Sequence, residues 1–152
     1  MKYFTKEWQR RVSDAPDSAK ELLREAYDGY RAEQGKHPIP EDFERNLEFH
    51  DAKIGRVETV GDDLHIWFDD PGFQPLGHTH LLFRKARIKK QEHTPEGCYF
   101  IYYEIYRHYL GYEMDMLLWY PKGSPASGYA DFTVLCEDIE TDTPWRKRKK
   151  KH

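Results

Sequence analysis

The sequence predicts an α+β fold, with amino-terminal helices packed on one face of a curved, mainly antiparallel meander sheet of about six strands. Three observations carry this expectation. Apolar residues recur at helical spacing only in the first third of the chain. From Ala52 onward they alternate instead, in runs bounded by Gly, Pro and Asp. The runs are joined by connectors too short to hold a crossover helix, which favours antiparallel neighbours. A chain of 152 residues suffices for one compact core, so a single domain over residues 1–145 is expected, helical in 1–50 and β in 52–140.

Thr5 is placed to cap a first helix that carries Trp8 and Val12 on one face and stops near Ser13. After a connector at 14–17, Ser18 and Glu21 have capping-box spacing, and Leu22, Leu23, Ala26, Tyr27 and Tyr30 repeat with helical period up to Gly35. His37-Pro38-Ile39-Pro40 breaks the pattern, and a short third helix over 41–49 would present Phe43 and Leu47. Strands are expected at 54–59, 64–69, 80–92, 98–109, 112–120 and 129–139, the first two forming a hairpin across a Gly/Asp turn.

Charge is uneven. Six of the 24 basic residues are Arg146 to Lys151, which leaves 18 against the 27 acids of the preceding chain. Such a block has nothing apolar to bury, so residues 146–152 are expected to form a disordered tail, with an electrostatic arm for nucleic acid as the sharper alternative. The 23 aromatics argue against wholesale disorder. No run of 18 apolar residues exists, and the opening MKYFTKEWQRR lacks the apolar stretch of a signal peptide, so no membrane contact and a cytoplasmic location are expected. Cys98 and Cys136 have no metal-finger spacing.

The strand over 98–109 sets the expected faces. With Leu110-Gly111 as a two-residue turn, Tyr106 lies beside Asp115 and Tyr102 beside Trp119, while Ile105 and Met116 turn to the other side, under the helices. Pairing the preceding strand through Arg87 and Glu104 places Arg87 on the aromatic face. Arg87, Tyr102, Glu104, Tyr106, Asp115 and Trp119 then form a candidate surface for a protein partner or small ligand, since Tyr, Trp and Arg are enriched at interface hot spots. Glu104 reads either as a general acid desolvated by aromatic neighbours or, more simply, as half of a cross-strand ion pair. Acidic residues on the same face disfavour nucleic acid there.

Other constellations read more weakly. His78 and His80 share one face if they lie on a strand, which suits two ligands of a metal-dependent hydrolase, but a third ligand is not evident and solvated histidines are the simpler reading. His50-Asp51 could be a base and its orienting carboxylate, yet adjacent residues on a strand point apart, so Asp51 is better read as a turn residue. Phosphate-loop, dinucleotide, nucleophile-elbow and His-Glu-x-x-His signatures are absent, and no cofactor is implied.

The opening MKYFTKEW, the segment Phe49-His50-Asp51-Ala52-Lys53-Ile54, the pair Tyr103-Glu104-Ile105-Tyr106 and Gly111-Tyr112-Glu113, and the closing Cys136-Glu137-Asp138-Ile139 resemble a family of uncharacterised bacterial proteins, a domain of unknown function. The resemblance spans most of the chain; the loop at 71–77 and the basic carboxyl end depart from it. It implies no activity, substrate or catalytic set. The expectation that follows is a small bacterial protein acting as a non-catalytic binding module, comparable by analogy to compact immunity proteins. A metal-dependent hydrolase using His78 and His80, or nucleic-acid binding through the basic tail, are the alternatives.

Overall fold

Thr5 starts the first helix as its position predicts: its side-chain oxygen accepts the Trp8 N–H at 3.1 Å, and α1 spans Lys6–Asp14. The computed structural model describes residues 1–120 and 128–141, so the basic tail and most of the loop expected at 122–128 lie outside the described residues. A 3₁₀ turn (Pro16–Ser18) leads into α2 (Ala19–Lys36), where Ser18 makes no side-chain capping bond because its backbone is already helical. Gly29 lets the Tyr3 ring lie against α2, since a Cβ there would come within 2.5 Å of it. The third helix, α3 (Phe43–Asn46), is shorter than expected, but Phe43 and Leu47 are buried as its pattern predicts.

The strands are β1 (Ala52–Val60), β2 (Asp63–Asp70), β3 (His80–Arg84), β4 (Arg87–Gln91), β5 (Tyr99–His108), β6 (Gly111–Trp119), β7 (Tyr129–Cys136) and β8 (Asp138–Thr141). All pairings are antiparallel, in the order β4-β7-β6-β5-β1-β2-β3-β8. The sheet thus has eight strands where about six were expected, because two of the long runs break. The run over 80–92 breaks at Lys85-Ala86, where Lys85 takes a left-handed φ of 49°, and the run over 129–139 breaks at Glu137. The breaks lie opposite each other. Arg84 faces Asp138 and Arg87 faces Leu135, so one register continues through both.

The sheet is also not a simple meander. β4 pairs with β7, so two strands, β7 and β6, lie between Arg87 and β5, and Arg87 cannot pair with Glu104. The hairpin between β5 and β6 turns at Tyr109-Leu110, with His108 facing Gly111, so Ile105 lies opposite Met114 and Glu104 opposite Asp115. That register differs from the expected one by two residues, which changes partners but preserves faces. Gly111 (φ 150°) is held to glycine by a close approach: a Cβ would lie 2.3 Å from the Cys136 carbonyl oxygen.

Burial separates two clusters, and they correct the expected placement of the helices. Ile54, Ile66, Phe83, Phe100, Ile105, Met114, Met116 and Phe132 form the main core with Leu47 and Phe49. Phe4, Trp8 and Ala26 form a second, joined by Leu23, Tyr27, Tyr30 and Tyr102. The helices α1 and α2 therefore cover the Tyr102 side of β5, opposite to Ile105 and Met116. The alternation in sequence separates two faces but does not say which receives the helices, because Tyr and Phe bury area on either. No described helix is long and apolar enough to cross a membrane.

Candidate ligand-binding site

The residues expected to form a recognition surface are largely occupied by the amino-terminal segment. Glu104 is fully buried and accepts backbone N–H groups from Lys2, Tyr3 and Phe4 at 3.0, 2.9 and 2.8 Å, together with the Tyr106 hydroxyl. Tyr102 stacks on Phe4 at 5.1 Å and meets Trp8 edge-on at 5.2 Å. Tyr106 packs against Tyr30, with Lys2 above its ring. Asp115 lies 3.6 Å from the Met1 ammonium, and burial, with Glu113 adding to it, pushes its carboxyl up to about 6. Arg87 is exposed on β4, remote from the others, and Trp119 sits half-buried beside Tyr99. In this arrangement Tyr102, Glu104, Tyr106 and Asp115 hold the amino terminus.

The histidines also separate. His78 precedes β3, so the same-face argument does not reach it. It is buried, its Nε2 2.8 Å from the Asn46 Oδ1, whereas the His80 ring stacks on His65 and Trp67 with an imidazole–imidazole hydrogen bond of 2.8 Å to His65. Among the described residues no group of three or more His, Cys, Asp or Glu could hold a metal. His50 and Asp51 come closer than strand alternation predicts, at 3.6 Å, because Asp51 takes φ 63° and departs from extended backbone. The His50 Nδ1 sits 2.6 Å from the Ile101 carbonyl, which fixes the proton there and leaves Nε2 toward Asp51. Both residues border an open hollow of about 500 Å³ with Tyr99 and Trp119.

A more enclosed cavity, of about 330 Å³, opens along the edge of β5. It follows from a mismatch of strand lengths. β1 pairs with β5 only at Ala52–Phe100 and Lys53–Tyr99, so β5 continues to His108 with no strand on that side. Side chains replace the missing strand. The Ile105 N–H donates to the Tyr30 hydroxyl at 2.8 Å, the Gln34 amide donates to the Ile105 carbonyl, and Arg107 Nε donates to the Pro38 carbonyl at 2.6 Å. Alternation along the ladder turns the N–H and C=O of Tyr103 toward the same edge as those of Ile105. Both the Tyr102 and Tyr103 side chains can line the cavity because it lies at the strand's edge and not on a face.

Tyr27, Tyr30, Arg31 and Gln34 of α2 form one wall, Pro38, Ile39 and Pro40 a second, and Glu44 and Glu48 around α3 a third. The third wall is fixed from behind by Gln74. Its amide nitrogen donates toward the carbonyls of Arg45, Asn46 and Glu48 at 3.2, 3.1 and 2.9 Å, satisfying groups at the helix end. Burial raises the Glu48 carboxyl above the ordinary glutamate range, against the opposing effect of the His50 N–H it accepts at 3.0 Å. Burial, reinforced by Glu48, also pushes the Tyr27 phenol up to about 12. The Tyr30 and Tyr103 phenols are raised chiefly by burial, so the rings are neutral walls with polar tips. The Oε1 of Gln34 is buried without a hydrogen-bond partner.

Sequence reasoning assigned Tyr27 and Tyr30 to helix core and did not single out Gln34, Glu48 or Gln74. A signal was present in the stripe Tyr27, Tyr30, Gln34, which keeps helical spacing but replaces aliphatic residues with groups that have polar tips. Comparisons with protein-family models, curated proteins and solved structures find no match to this chain.

Proposed function

We propose that the protein is a non-catalytic binding module whose ligand is a small organic molecule held in the cavity between α2 and the free edge of β5. One observation carries the reading. A concave, mostly apolar space of about 330 Å³, with four tyrosines in its walls, is framed by the fold itself, and it falls within the size range of small-molecule sites. Its polar groups, the carboxylates of Glu41, Glu44 and Glu48, the Arg31 guanidinium and the backbone edge at Tyr103, are spaced around apolar walls, an arrangement that orients a ligand. The resemblance to bacterial proteins of unknown function is compatible with such a role and assigns no chemistry to it. The immunity-protein analogy loses support, because the face it relied on is covered by residues 1–8 and α2.

The test is a ligand-observed NMR screen of a small-fragment library against the full chain and Gly35→Phe. Gly35 borders the cavity, and a Cβ built there meets no atom within 4 Å, so the added ring can occupy space without forcing the backbone. Binding of several fragments to the native chain, lost in Gly35→Phe, is expected. An absence of hits, or hits that the filled variant keeps, overturns the reading.

A further inference from the structure

The charge around the cavity narrows the ligand. Glu41, Glu44 and Glu48 border it against one cation among its lining residues, Arg31, which is exposed at the rim with its guanidinium 5.7 Å from the Tyr27 ring centroid. Arg31 therefore already shows that the face of Tyr27 accepts a cation from outside. Glu48 is half-buried, accepts the His50 backbone N–H and makes no ion pair within the described residues. The free edge of β5 at Tyr103 carries a carbonyl, turned to the same side as that of Ile105, that a cationic head group would meet favourably. Four tyrosine rings supply electron-rich faces and edges. An anion would meet three carboxylates, and a neutral ligand would leave Glu48 uncompensated.

We infer that the ligand is an organic ammonium ion, its charged head placed between Glu48 and the rings of Tyr27, Tyr30 and Tyr103. The inference rests on the small-molecule reading given above and adds the charge of the occupant. Glu48 acts as the counter-ion, and the tyrosines take the place of the water that hydrates the free cation. The Tyr103 carbonyl, on the free edge of β5, serves as an acceptor for any N–H the head group carries.

Choline and its neutral carbon isostere 3,3-dimethylbutanol have nearly the same shape and differ in charge, so titration calorimetry of both against the full chain at 0.15 M salt isolates the electrostatic part. Choline is expected to bind about tenfold or more tighter than the alcohol, the size of effect a desolvated cation–aromatic contact supplies. Glu48→Gln should lower choline affinity by about tenfold and leave the alcohol unchanged, and Tyr27→Leu should weaken choline more than the alcohol. Circular dichroism melting checks that both variants are folded. If the two probes bind equally and Gly35→Phe removes both, the cation assignment fails while the small-molecule reading stands. Choline binding that survives Glu48→Gln and Tyr27→Leu places it elsewhere on the acidic surface and overturns the inference. No binding of either probe also overturns it, and a fragment screen without hits removes the underlying reading as well.

Discussion

On the helix-covered face of β5 the chain meets its own polar groups, whereas along the edge of the same strand it leaves some unmet. Glu104 is fully buried yet receives three N–H groups from residues 2–4 and the Tyr106 hydroxyl. Gln34, at the edge, turns one end of its amide to Ile105 and leaves the other buried without a partner. Tyr102 packs on both Phe4 and Trp8 at the rim of the clasp, and with Tyr27, Tyr30 and Tyr103 it also borders open space. Satisfied, close-packed polar groups specify a structure. Unsatisfied ones beside a cavity are where a protein gives up stability for binding. The difference separates a structural clasp from a site, although both are built largely from tyrosines and glutamates around β5 and α2.

The largest expected effect tests the clasp. Phe4→Ala removes a ring that contacts Trp8, Tyr27, Tyr30 and Tyr102, and should cost about 4 kcal/mol of unfolding free energy by urea titration. A loss of under about 0.5 kcal/mol would mean that the amino-terminal segment is not docked, and that the Tyr102 face is free after all. Glu104→Gln keeps the shape but presents an NH₂ group to donors, and should cost about 2 kcal/mol. Amide exchange at residues 2–4 should rise with it; unchanged protection there would break the comparison.

Asp115 sharpens it through pH. Its folded-state carboxyl is raised above the unfolded value to about 6, so the native chain holds that proton more tightly. The Asp115 contribution to stability should therefore fall as pH rises from about 4 to 6, by on the order of 2 kcal/mol, and Asp115→Asn should remove that contribution from the measured pH dependence whatever its effect on the absolute stability. Urea titrations at pH 4.5 and 6.5 measure the slope, and the same slope in both proteins would remove Asp115 as its source.

Much of this arrangement is legible in the sequence, and what is not has identifiable causes. Local signals work where the determinant is local: Thr5 caps α1, the Gly/Asp turn closes the first hairpin, and alternation sorts Ile105 and Met116 from Tyr106 and Asp115. Strand breaks at Lys85 and Glu137 leave no mark in hydrophobic pattern, since a left-handed lysine reads like any other exposed lysine. The pairing of β4 with β7 is a long-range choice that short connectors do not determine. The face that receives the helices is ambiguous because Tyr102 and Tyr106 suit a covered surface as well as an open one. The cavity is least legible of all, because it arises from β5 outrunning β1, a difference in paired length that appears only once both are placed.

The smallest effect has the opposite sign and comes from applying to Glu48 the substitution already considered for Glu104. Burial raises the Glu48 carboxyl, so above its folded-state range the ionised form costs the native chain stability that the unfolded chain does not lose. Glu48→Gln removes that cost and keeps an oxygen for the His50 N–H. Because the side chain still meets water, screening limits the gain to a few tenths of a kcal/mol at pH 7. The gain should disappear as the pH falls through the range in which Glu48 is protonated, where the native residue is neutral too. Paired urea titrations at pH 7 and pH 4 read the difference. A loss on the scale of Glu104→Gln would show Glu48 to be another structural acceptor, whereas a small gain coupled to weaker cation binding is the trade expected of a residue kept for its ligand.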